Sequence, residues 1–179
     1  MVQISGGGGL EKALAKIAQS VKSAVQVDVG FMSEATYADG KSVAMVAAIQ
    51  EFGAPARGIP PRPFFRTMIA ENSPRWPKAV GDLLVANKYD AKKTLGKMGV
   101  GMVGQLKQSI IAMNEPALSP ITVMLRGMRT QKRYGNMPFG AKMSEAVARV
   151  AANKTNYGAS IKPLIDSGVM LRSVSSVVK

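Results

Sequence analysis

Between residues 54 and 63 the chain carries four prolines, Pro55, Pro60, Pro61 and Pro63, together with Gly58. A helix interior would lose a donor and meet a clash at each ring, and a central strand would lose its ladder donors. The segment is therefore predicted as an extended, stiff loop, and ordered elements have to form on either side of it. Before it, Val43, Val46, Ala47 and Ile49 give one apolar face to a helix that Ser42 caps and Gly53 ends. After it, Phe64, Phe65, Met68 and Ile69 recur at helical spacing.

The remaining elements follow from periodicity and punctuation. Residues 1–9 end in Gly6-Gly7-Gly8-Gly9 and are expected as a flexible lead-in. Leu10, Leu14, Ile17 and Val21 form a helical stripe, with Lys12, Lys16 and Lys22 off it. Val25, Val27, Val29 and Phe31 alternate with Gln26, Asp28 and Gly30, the period of a half-buried strand. Ala38-Asp39-Gly40 signals a turn. Ser73-Pro74 marks a break and restart, continued by Trp76, Val80, Leu83 and Leu84. Asp90 caps a helix to about Met113, in which Gly96, Gly99, Gly101 and Gly104 suggest close approach to a neighbour. Ser119-Pro120 opens a short helix through about Met128. Residues 129–162 are polar and basic and read as a long arm or loop with one modest helix near 142–152. Pro163 to Gly168 reads as a short turn or helix, and Val174, Val177 and Val178 as a strand. There is no internal repeat. The expected fold class is α+β: a small, mostly antiparallel sheet packed with several helices, plus extended arms or loops. Residues 10–179 form one domain, with the basic arm at about 129–162.

Composition excludes several chemistries. The 179 residues contain no Cys and no His, which removes disulfides, Cys nucleophiles, the usual zinc ligands and His-based catalysis. The acids are scattered, with Glu34, Asp39 and Glu51 the densest set, so paired-carboxylate catalysis has little support. No run of about 18 apolar residues is present, and the N-terminus lacks a basic-then-apolar export pattern. The net charge of +13 is uneven: residues 1–85 hold 9 basic and 7 acidic side chains, residues 86–179 hold 15 and 4. The C-terminal half is expected to face something acidic.

Three motifs imitate nucleotide sites. Gly99, Gly101 and Gly104 match G-x-G-x-x-G, but a charged helical segment precedes them where a strand is needed. Ala35 to Ser42 reads A-x-x-x-x-G-K-S, with Lys41 where a phosphate loop has its lysine. Asn87-Lys88-Tyr89-Asp90 resembles a guanine-reading N-K-x-D. Residues 43–81 contain no Asp, however, so the intervening D-x-x-G element is missing. Asp39-Gly40 is better read as a turn, and no cofactor or metal is expected.

Two separated blocks carry a resemblance. The first runs from Ala35-Thr36-Tyr37-Ala38-Asp39-Gly40 through Ile49-Gln50-Glu51-Phe52-Gly53 to Ile59-Pro60-Pro61-Arg62-Pro63-Phe64-Phe65-Arg66. The second is Lys162-Pro163-Leu164-Ile165-Asp166-Ser167-Gly168, followed by Met170 and Ser173. Together, over about residues 25–175, they resemble the neck or tail-completion proteins of long-tailed bacteriophages, also called tail-to-head joining or virion morphogenesis proteins. Those share A-x-I-x-E-F-G, then P-x-R-P-F-x-R, then K-P-L-I-D-T-G; here Ser167 stands for the Thr. The resemblance implies an α+β subunit assembling as a ring, expected as a hexamer, between the head connector and the tail terminator. It implies no enzymatic chemistry. It also implies synthesis in the host bacterial cytoplasm and a place in the virion neck or upper tail.

On this reading Glu51, Phe52, Gly53, Pro60, Pro61, Arg62, Pro63, Phe64, Phe65, Arg66, Leu164, Ile165, Asp166, Ser167 and Gly168 are candidate subunit contacts. At least one of Phe64 and Phe65 is expected in the core, and Arg62 and Arg66 serve as interface or local anchors, or as a solvated face. Arg126, Arg129, Lys132 and Arg133 form a basic patch that faces solvent, an acidic partner ring or, without sequence preference, genomic DNA. Only Tyr134 adjoins the patch, so base stacking is not supported. The rival reading is a stand-alone basic nucleic-acid-binding protein, although no helix-turn-helix, RRM or KH pattern can be traced.

Overall fold

The computed structural model describes residues 7–22, 26–32, 34–154 and 158–179. In chain order its elements are α1 (Gly7–Val21), β1 (Val27–Phe31), α2 (Val43–Phe52), α3 (Phe64–Asn72), α4 (Trp76–Ala86), α5 (Ala91–Ala112), α6 (Pro120–Thr130), α7 (Phe139–Ala151), α8 (Val169–Arg172) and β2 (Val174–Val178). The class is α+β. Its sheet is one antiparallel ribbon, with Val27 opposite Val178, Val29 opposite Ser176 and Phe31 opposite Val174.

α5 packs against both strands, α3 and α4. The close approach expected of its glycines occurs at Gly99, where a Cβ would lie 2.8 Å from both Val27 Cγ2 and Ser176 Oγ. Gly96, Gly101 and Gly104 face open space. The main core joins Val43 and Ala47 of α2, Phe64 and Met68 of α3, and Leu106 and Ile110 of α5 with Leu164, Met170 and Val174. Phe31 meets Phe64 edge-on, ring centroids 6.2 Å apart. Ser42, Asp90 and Ser119 cap their helices through side-chain oxygens, as read from the sequence.

Four expectations need correcting. The glycine-rich lead-in is not non-helical to residue 9: Gly7, Gly8 and Gly9 form the start of α1, while residues 1–6 lie outside the described residues. The apolar stripe on α1 does not face a core, since Leu10 is 64% and Leu14 55% exposed. Strand β1 begins at Val27; Val25 lies outside the described residues. The helix expected near 142–152 within the segment 129–162 is present as α7, but the segment is packed instead of extended as an arm. α7 packs on α6 around a second small core of Met124, Met128, Tyr134 and Ala146, with Met137 and Val150 against it. Each helix contributes only a few apolar positions, so the pattern looks polar until the two helices are paired.

The proline loop is also more folded than expected. Ala54 and Ile59 exchange backbone bonds of 2.8 and 3.1 Å around a 3-10 turn at Pro55–Arg57, closed by left-handed Gly58. Gly53 ends α2 at φ 76°, ψ 176°, which is not the left-handed helical cap that a helix end suggests but a region essentially reserved for glycine. A Cβ there would lie 2.8 Å from Pro61 N and 2.9 Å from Ile59 O. Gly53→Ala is expected to destabilise the fold by about 2–4 kcal/mol through strain and backbone clash together. Gly58→Ala, where a Cβ meets nothing within 4 Å, should cost about 1 kcal/mol. Urea unfolding followed by the single tryptophan, Trp76, measures both.

Candidate functional site

The N-terminus of α3 has no side-chain cap of its own, because Pro63 occupies the cap position. Its free N–H groups are answered from α2. The Phe65 N–H donates to Glu51 Oε2 at 2.8 Å and the Arg66 N–H to Glu51 Oε1 at 3.2 Å. The Arg66 side chain returns, Nε donating to Glu51 Oε1 at 2.9 Å and Nη2 to the Glu51 carbonyl at 3.1 Å. Glu51 is 5% exposed, so this carboxylate is a buried anion held by a helix N-terminus and a guanidinium.

Arg62 anchors the same corner. It is 4% exposed; its Nη1 donates to Gln50 Oε1 at 2.9 Å and its Nε to the Pro116 carbonyl at 3.0 Å. Its backbone N–H bonds the Gln50 carbonyl at 2.7 Å. Arg62 is therefore a local anchor rather than a solvated or contact residue. Phe64 is 1% exposed and belongs to the core, and Ser109 Oγ donates to its carbonyl at 2.6 Å. Phe52 is left 66% exposed, with the Arg66 guanidinium 5.2 Å from its ring centre. Beside it Phe31, Ala44, Ala48, Phe65 and Arg66 border an apolar groove of about 230 Å³. Pro60 and Pro61 are exposed, and Pro63 and Phe65 are half-buried.

The second block is held by Arg126. Its Nη1 donates to the carbonyls of Ser160 and Lys162 at 3.2 and 2.8 Å, and its Nη2 to that of Pro163 at 2.8 Å. Asp166 lies 3.8 Å from Arg126 Nε and pairs with Arg129. Lys162 Nζ donates to the Ile111 carbonyl at 2.8 Å. Burial lowers the pKa of Arg126, opposed by Asp166, and burial with the nearby positive Arg126 lowers that of Arg62. The two blocks border a common groove, Tyr37 and Gln50 from the first and Leu164 and Asp166 from the second. Leu164 is 6% exposed and joins the core instead of a surface. Gly168, at φ 73°, precedes α8.

The basic patch is accordingly not one surface. Arg126 is a buried clamp, and Arg129 is engaged by Asp166. Arg133 donates to the Tyr134 hydroxyl and lies 4.3 Å over its ring. Lys132 is exposed.

Between α2, residues 37–41, α6 and residues 163–170 lies an open groove of about 670 Å³, bordered by Tyr37, Lys41, Gln50, Arg129 and Asp166 among others. Gln50 and Tyr37 were not legible as site residues, because neither belongs to a charge run or a spacing rule. The nucleotide motifs resolve as turns and packing. Lys41 Nζ pairs with Asp39 at 2.6 Å, and the Gly40 N–H bonds the Tyr37 carbonyl at 2.9 Å. Asn87 bonds Thr94 and Lys97, and Asp90 caps α5. Among the described residues no three of His, Cys, Asp and Glu cluster to hold a metal. No helix is long and apolar enough to cross a membrane, among the described residues. Neither a protein-family model, nor a curated protein, nor a solved structure matches the chain.

Glu51→Ala and Arg126→Ala should each destabilise the fold by roughly 2 kcal/mol, because the first leaves the Phe65 and Arg66 amides without their acceptor and the second leaves the loop carbonyls at 160–163 without their donor. Lys132→Ala should stay within about 0.5 kcal/mol. Denaturant titration separates these outcomes. The Tyr37 hydroxyl titrates above its ordinary value, chiefly through burial and then through Asp166 and Asp39. The folded chain therefore keeps this proton after the unfolded chain has lost it, and stability falls as pH rises past about 10. Tyr37→Phe should reduce that alkaline loss, read as melting temperature against pH from about 9 to 11.

Proposed function

We propose that this chain is a structural subunit of a bacteriophage neck, forming a ring that completes the tail and joins it to the head connector. The carrying observation is the exposed Phe52 beside its apolar groove, set at a corner where the first block leaves apolar surface uncovered. Glu51, Arg62 and Phe64 hold that corner in place, as a repeated subunit contact requires. The other signature residues serve the fold, and the reading needs no cofactor and no catalytic group. Its partners are further copies of the chain, the head connector and the tail terminator.

In this reading the positive surface is a secondary feature. Arg62 is buried and Arg126 is turned into the loop at 160–166, so these two charges do not face a partner, whereas Arg66 and Arg129 stay more than half exposed beside their carboxylates. What remains exposed, such as Lys132, suits sequence-independent contact with a polyanion or an acidic neighbouring ring.

Light scattering across a concentration series and electron microscopy test the reading. Ring-shaped particles, at six times the 18.9 kDa chain mass for a hexamer, are the expected result. Phe52→Asp should weaken association at least about tenfold with little change in melting temperature, since the side chain is 66% exposed and loses only its contact with the Arg66 guanidinium. A monomer that binds DNA with a steep salt dependence would instead favour a stand-alone nucleic-acid-binding protein.

A further inference from the structure

β1 and β2 pair only with each other among the described residues, which leaves both outer edges of the ribbon open. The hydrogen-bond phase shows which groups point outward. Gln26 and Lys179 exchange two backbone bonds, at 3.3 and 3.0 Å. By the antiparallel alternation, Asp28 with Val177 and Gly30 with Ser175 do the same. The N–H and C=O groups of Val27 and Val29 therefore point away from β2, and those of Ser176 and Val178 away from β1. No hydrogen bond from another described element reaches these four residues, and all four are half-exposed. At the far end of β2, Val174 is 3% exposed, so the accessible edge is the Ser176–Val178 half.

Edges of this kind are normally guarded by proline, an inward-pointing charge or a bulge. Neither Val27–Phe31 nor Val174–Val178 contains Pro, the one charge within them, Asp28, is paired with Lys179, and the register runs without interruption. A two-stranded ribbon is also the least self-sufficient sheet. Added strands are a common mode of recognition at such an edge.

We infer that the ribbon is a subunit joint, in which the β2 edge of one copy pairs antiparallel with the β1 edge of the next. The occupant is a second copy because β2 already matches β1. The register Val27 to Val178 and Val29 to Ser176, repeated across the joint, keeps the apolar side chains of Val27, Val29 and Val178 on one face without a slip. It sets the neighbouring copy's C-terminal lysine diagonal to Asp28, the same diagonal as the 2.5 Å Lys179–Asp28 pair within the ribbon. Each copy carries one edge of each kind, so the joint is heterologous, and repeating it closes a ring or extends a filament. Phe31, at the end of the β1 edge, also borders the Phe52 groove, so the two surfaces are continuous.

This inference rests on the ring reading and specifies its contact. Amide-resolved hydrogen exchange on the whole chain, below and above the concentration of association, tests it. The amides of Val27, Val29, Ser176 and Val178 should exchange at least about tenfold more slowly in the assembly. Those of Asp28 and Val177, already bonded within the ribbon, should change less. Val29→Pro removes an outward donor but no ladder bond, and should weaken association at least about tenfold. Rings whose outward amides stay unprotected, or a folded Val29→Pro chain that assembles as the parent does, overturn the joint and leave the ring reading standing. A chain that remains monomeric to about 1 mM overturns both.

Discussion

The buried carboxylate of Glu51 is the contact on which the corner of this molecule depends. A helix that begins immediately after proline has free N–H groups and no cap of its own. α2 supplies the missing acceptor from the far side of the proline loop, and Arg66 neutralises the charge. The loop is thereby fixed at both ends: Arg62 ties its exit to Gln50, and Gly53 makes its entry at a dihedral that only glycine accepts comfortably. Removing the anion would strand two backbone donors and a guanidinium together, so the contact behaves as a unit.

A second device of the same kind organises the C-terminal third. Arg126 bonds three consecutive-loop carbonyls and brings residues 160–166 against α6. Backbone acceptors in a loop have no ladder to satisfy them, and a guanidinium with a planar fork of donors serves several at once. Burial, and then the positive Arg126, lowers the proton affinity of Arg62, while that of Arg126 is lowered chiefly by its own burial. Carbonyl oxygens and the more distant Asp166 offset part of that repulsion.

For function, this means that the most recognisable residues mostly act inward. Among the described residues, the apolar and backbone-rich surface includes Phe52 with its groove and the ribbon edges that no other described strand pairs. Such surfaces suit repeated contacts between copies, where the same patch recurs at every joint. The α6–α7 unit has its own small core, carries the exposed Lys132 and Arg133 beside it, and is tied to residues 160–163 by Arg126.

Helix positions, the two strands and their α+β class were readable because they rest on local rules. Ser42, Asp90 and Ser119 cap where a short polar side chain precedes an apolar period, and the alternation around Val27 and Val29 marks a strand. The two blocks were also visible as patterns, although what each residue does in them was not. Arg126 looked like part of a basic patch because charge is a property of composition, whereas its carbonyl partners lie 34 to 37 residues away. Within 129–162 the helix near 142–152 was readable but its packing was not, for a related reason: a helix with a narrow apolar stripe declares its core only when a second stripe lies against it. What the chain by itself determined was the local periodicity, the caps and the glycine and proline punctuation. Only the tertiary structure decided which charges were buried, which aromatic remained exposed and which strand edges stayed open, because burial and pairing are properties of two segments meeting and neither segment carries them alone.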